Sequence, residues 1–64
     1  MAQKARIEVQ DQFGQWRYFT TVTVLGSNVK LALQRALGSA QARDSGKARA
    51  RDEDTGELLD IEVA

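Results

Sequence analysis

The sequence predicts a small α+β domain of order ββαββ, in which two β-hairpins form an antiparallel or mixed sheet and one amphipathic helix packs on one face of it. Three observations carry that prediction. Residues 4–10 alternate apolar with polar side chains, and residues 15–25 are rich in aromatic and β-branched types. Residues 29–40 place apolar side chains at three- and four-residue spacing, the signature of a one-sided helix. Residues 47–64 then alternate on both sides of an acidic turn. A chain of 64 residues has room for one domain, residues 1–64.

In the first strand Ala5, Ile7 and Val9 face one way, and Lys4, Arg6, Glu8 and Gln10 the other. Asp11-Gln12-Phe13-Gly14 supplies a turn, with Gly14 free to take a positive φ. The loop length sets the register, and a slip of one residue exchanges the two faces. A four-residue loop pairs Val9 with Trp16, Ile7 with Tyr18 and Glu8 with Arg17, matching apolar to apolar and acid to base. It predicts Trp16, Tyr18, Val22 and Val24 in the core, with Arg17, Phe19, Thr21 and Thr23 on the opposite face. A three-residue loop closed by Gly14 instead pairs Val9 with Arg17 and Glu8 with Tyr18, and puts Trp16 and Tyr18 in place of Phe19 on the open face. Cross-strand energetics favour the first.

Gly26-Ser27-Asn28 breaks the second strand and offers N-caps to a helix starting near Val29. Val29, Ala32, Leu33, Ala36, Leu37 and Ala40 form its apolar stripe over about four turns. Gly38, costing roughly 1 kcal/mol inside a helix, is expected to be buried where the helix approaches the sheet. Asp44-Ser45-Gly46 is expected to end the helix, with Gly46 in the left-handed position. In the last hairpin a four-residue loop from Glu53 to Gly56 pairs Ala50 with Leu59, Ala48 with Ile61, Arg49 with Asp60 and Lys47 with Glu62.

Composition excludes several function classes. The chain has no His, Cys or Pro, so disulfides, thiol nucleophiles, imidazole acid–base chemistry and Cys/His metal sites lack their residues. Asp52, Asp54 and Glu57 cluster in an exposed turn with no apolar pocket to raise a carboxyl pKa. The spacing Asp52-x-Asp54-x-Gly56 fails the calcium-loop pattern, since the fifth, sixth and twelfth positions are Gly56, Glu57 and Val63. No glycine-rich phosphate loop is present. The expectation is a non-enzyme with no cofactor, no metal and no small-molecule substrate. No apolar run approaches the ~20 residues of a membrane span, and the N-terminal residues lead straight into a strand rather than a signal core. A cytoplasmic chain without a membrane partner is expected.

Net charge is zero, but it is divided: residues 1–51 hold nine bases and three acids, and residues 52–64 hold six acids and no base. The basic run Arg43, Lys47, Arg49 and Arg51, joined by Arg6 and Arg17 on the open face and by Phe19 as a stacking ring, points to nucleic acid. Against it stand a pI near 6.1 and acids expected opposite these arginines. One helix leaves one sheet face uncovered, and a domain of this size buries only ~60 % of its unfolded surface. The leading expectation is therefore a non-catalytic interaction module that binds a protein partner through the open face. It is expected to self-associate, as a homodimer joined face to face or edge to edge. Nucleic-acid binding through the basic residues is the alternative.

Overall fold

The computed structural model describes residues 3–39 and 46–63. It has strands β1 (Lys4–Gln10) and β2 (Trp16–Thr23), helix α1 (Asn28–Leu37), and strands β3 (Lys47–Asp52) and β4 (Leu58–Val63). The strands form one fully antiparallel sheet in the order β2-β1-β3-β4, so the two hairpins join through β1 and β3. The ββαββ prediction holds, and α1 covers one face.

The central strands carry the smallest and most regular apolar set. Ala5, Ile7 and Val9 of β1 and Ala48 and Ala50 of β3 are fully buried beneath Ala32, Leu33 and Ala36 of α1. Alanines on both surfaces let the helix backbone come close to the sheet, so only Ile7, Leu33 and Val9 are large, fully buried side chains. Phe19, Val22, Val24, Val29, Leu37 and Leu59 pack around this centre.

α1 is shorter than the sequence predicts. It ends at Leu37, and Gly38 donates its N–H to the carbonyls of Gln34 and Arg35 at 3.2 and 3.1 Å. Gly38 is exposed, and a Cβ there would meet nothing closer than 3.5 Å, so the expected close approach to the sheet is corrected to a C-cap. Ser39 closes the last turn through Oγ to the Ala36 carbonyl, 2.6 Å. Gly46 has φ +65°, the predicted left-handed conformation, but stands at the entry to β3 and not at the helix end. Ala40, Arg43 and Asp44 lie outside the described residues.

Both hairpins contain a bulge, and the bulges decide what faces out. Next to the first turn Gln10 pairs with Trp16, Val9 with Arg17 and Glu8 with Tyr18; beyond it Ile7 pairs with Thr20 and Ala5 with Val22. The pairing near the turn is the one the shorter loop sets, so Trp16 and Tyr18 share the uncovered face with Gln10 and Glu8. The extra residue, Phe19, joins Thr20 on the helix side, which restores the expected facing of Val22, Val24, Thr21 and Thr23. Tyr18 and Thr21, three residues apart, consequently point the same way, with their hydroxyls 3.0 Å apart. The predicted placement of Phe19 on the open face is thus corrected: it packs against the core. Arg17 is corrected too, because it stands opposite Val9 on the helix side and bonds Asp11 at 3.0 Å.

In the second hairpin Arg51 pairs with Leu58 as the loop length predicts, but Leu59 is the extra residue, and Ala50 pairs with Asp60, Arg49 with Ile61 and Lys47 with Val63. The bulge turns Leu59 inward and moves Ile61 and Val63 onto the open face, where they are exposed. Asp60 and Glu62 move to the helix side. The expected cross-strand pairs of Arg49 with Asp60 and Lys47 with Glu62 do not form.

Candidate functional site: the open sheet face

The uncovered face is built by alternate residues of four strands, each fixed by the pairing above. Down its middle run Lys4, Arg6 and Glu8 of β1 beside Arg51, Arg49 and Lys47 of β3, with Arg6 opposite Arg51 and Glu8 opposite Arg49. Trp16 and Tyr18 of β2 border this track on one side, and Leu58, Ile61 and Val63 of β4 border it on the other.

Glu8 is the hub. It is 7 % exposed, the one buried charged residue among those described. Arg49 Nε donates to its Oε1 at 2.8 Å, Arg51 Nη1 lies 3.6 Å from the same oxygen, and Arg6 Nε lies 3.6 Å from Oε2. A buried carboxylate needs such partners, and charge-assisted bonds are the strong ones. One negative charge cannot neutralise three guanidiniums. Their side chains remain 52 % (Arg6), 24 % (Arg49) and 38 % (Arg51) exposed, so surplus positive charge is held at the surface.

The rings fix two of these groups further. The Arg49 guanidinium lies over Trp16, 4.2 Å from the ring centroid, and that of Arg6 over Tyr18 at 4.8 Å. Each cation–π pair contributes about 0.5–1 kcal/mol at partly exposed sites and keeps the guanidinium over the ring. Arg51 is steadied from the turn, donating Nε to the Gly56 carbonyl at 3.0 Å. Gly56 has φ +77°, and a Cβ there would stand 2.9 Å from Arg51 Nη2, so glycine serves both the turn and the arginine. Arg6, Glu8, Arg51, Asp52, Glu53 and Gly56 enclose a polar recess of about 330 Å³ beside it.

One acid in each turn is held by hydrogen bonds. Asp11 accepts from Arg17 and from the backbone N–H of Gln15 and Phe13, and the arginine contact leads in holding its carboxyl below the ordinary value. Asp52 accepts from Gln3 Nε2 at 2.7 Å and from the N–H groups of Asp54 and Thr55, and the Gln3 bond leads in lowering its pKa. Asp52-x-Asp54 is a turn built around one carboxylate. Among the described residues no three acids cluster as metal ligands, and no helix is long and apolar enough to cross a membrane.

Of the residues singled out from sequence, the structure brings together Arg6, Lys47, Arg49 and Arg51, leaves Arg17 and Phe19 on the other side, and does not describe Arg43. Sequence reasoning missed Glu8 as the organising group, and it placed Trp16 and Tyr18 on the open face only under the shorter loop, the alternative it did not prefer. The signal for the rings was the shorter loop; the signal for Glu8 was a lone acid in a strand whose neighbour in space carries arginines. No family model, curated protein or solved structure matches this chain.

Proposed function

We propose that this chain is a non-catalytic interaction module that works through its open sheet face and takes an anionic partner. The observation that carries the proposal is the clamp of Arg6, Arg49 and Arg51 on Glu8. Three cations share one buried acid and are prearranged on a face that no other element among the described residues covers. Counting Lys4 and Lys47, five bases share this face with Glu8 and, opposite Lys4 at one end, Glu53, a local charge of +3 in a chain whose net charge is zero. Prearranged side chains lose little entropy on binding, which favours recognition over a merely solvated charge ladder.

Retention on immobilised heparin at pH 7 tests this. A chain of zero net charge with evenly spread charge passes through; this one is expected to be retained and released by salt. Arg49→Gln should abolish retention, whereas Arg17→Gln and Arg35→Gln, off the face, should leave it intact. Passage of the native protein without retention contradicts the proposal.

Self-association is supported on a different surface. A groove of about 370 Å³ between α1 and β2, lined by Phe19, Val22, Leu31, Ala32 and Arg35, leaves Leu31 half-exposed beside a core with few large side chains. A second copy covering it supplies the apolar burial that a domain of this size lacks. The open faces, each +3, repel one another, and both edge strands carry bulges that discourage strand addition. Sedimentation equilibrium should give a dimer that Leu31→Glu dissociates; a native monomer at high micromolar concentration contradicts it.

A further inference from the structure

We propose that the anionic partner is single-stranded nucleic acid, with bases laid on the ring–guanidinium layer of the open face and phosphates following the central basic track. This rests on the open face being the binding surface, as argued above.

Spacing selects nucleic acid among polyanions. Trp16 and Tyr18 are two residues apart on one strand, so their rings are attached on the same side at points ~6.7 Å apart. That is about twice the ~3.4 Å between stacked bases of a duplex. Two neighbouring bases can occupy both rings only when unstacked, which a single strand allows and a duplex does not. Tyr18 is 51 % exposed, and each ring carries an arginine guanidinium, a second surface on which bases stack. An acidic protein surface makes no use of these planes.

Length is consistent with the same partner. The track from Lys4 to Lys47 runs along β1 and β3, about six residue rises or ~20 Å. With one nucleotide per ~6.7 Å step of the strand it spans three to four nucleotides, in keeping with the local charge of +3. With roughly three phosphates neutralised, the logarithm of the binding constant should fall with the logarithm of salt at a slope near −2.1. Affinity should then drop roughly 20-fold between 50 and 200 mM salt.

Trp16 is the one tryptophan in the chain and so reports directly on its own ring. The experiment titrates the protein with a mixed-sequence 20-nucleotide single strand, the matching duplex, and poly-L-glutamate, following tryptophan emission and the anisotropy of labelled probes. The single strand should quench Trp16, bind tighter than duplex or polyglutamate, and show the stated salt slope. Tyr18→Ala, at a half-exposed position, should weaken it at least about fivefold. Arg49→Lys keeps the charge but loses the plane, and should bind more weakly than native protein. Urea melts of both variants establish that they are folded. Duplex binding as tight as single strand, or binding unmoved by Tyr18→Ala in folded protein, overturns the proposal. Polyglutamate binding at least as tight without quenching also overturns it, while leaving the open face standing as a site for acidic protein. Failure of all three probes to bind overturns both.

Discussion

Replacing Glu8 by Gln removes one charge, keeps the volume, and tests whether this carboxylate organises the open face. The Arg49–Glu8 bond at 2.8 Å is charge-assisted and part-buried, a class worth about 1.5–3 kcal/mol net. The contacts of Arg6 and Arg51 at 3.6 Å are longer and more exposed, and each contributes about 0–1 kcal/mol. Glutamine still accepts one hydrogen bond, so part of the first term survives, but three guanidiniums then crowd without a counter-charge. The expected loss is about 2 kcal/mol in urea denaturation, or about 10 °C in Tm for a domain of this size. Glu57→Gln, in the exposed turn, is the control and should change little. A stability change under about 0.5 kcal/mol, the size of an ordinary surface substitution, refutes the hub role of Glu8.

Three further outcomes follow from the geometry. Phe19→Ala should cost about 2 kcal/mol, as truncation of a half-buried core side chain, whereas Tyr18→Ala should cost less than about 1 kcal/mol; equal costs in urea melts would contradict the β2 bulge. Gly56→Ala, strained at φ +77° and pressing on Arg51, should cost about 1–2 kcal/mol and move the Arg51 Nε–H resonance, while Gly26→Ala, with open space around it, should leave that resonance unmoved. Asp11 and Asp52 have folded pKa values below their unfolded ones, so the stability they contribute is complete above the ordinary Asp value of about 3.9 and is lost as pH falls below it through the depressed values. Acid melts of Asp11→Asn and Asp52→Asn should flatten that part of the pH profile, and an unchanged profile would contradict these turn contacts.

Element types and their order were legible in the sequence because strand and helix periodicities are strong over 4–10, 15–25 and 29–37. Facing was legible only in part. The shorter loop and the extra residue Phe19 each shift β2 by one position, two in all past the bulge, so Val22 and Val24 face the core as expected while Trp16 and Tyr18 do not. A bulge leaves no periodic trace: Phe19 reads as an ordinary strand residue, and Leu58-Leu59 offers two equivalent apolar choices for the inward position. The partner of Arg49 depended on strand order. Adjacency in sequence nominated Asp60 for Arg49 and Glu62 for Lys47, but β3 also borders β1, where the buried Glu8 takes Arg49. The basic cluster was therefore visible from composition, and its counter-charge was not. Relocating those two acids to the helix side removes the main objection to an anionic partner that the sequence raised.

An NMR titration that follows arginine Nε–H and tryptophan Nε1–H resonances during addition of a short single-stranded oligonucleotide reads the open face residue by residue. Arg6, Arg49, Arg51 and Trp16 should shift together and return as salt is raised, with Arg17 and Arg35 still, because only the first four share the open face. Shifts confined to Arg35 and the α1 surface, or no shift at low salt, would contradict the open-face proposal.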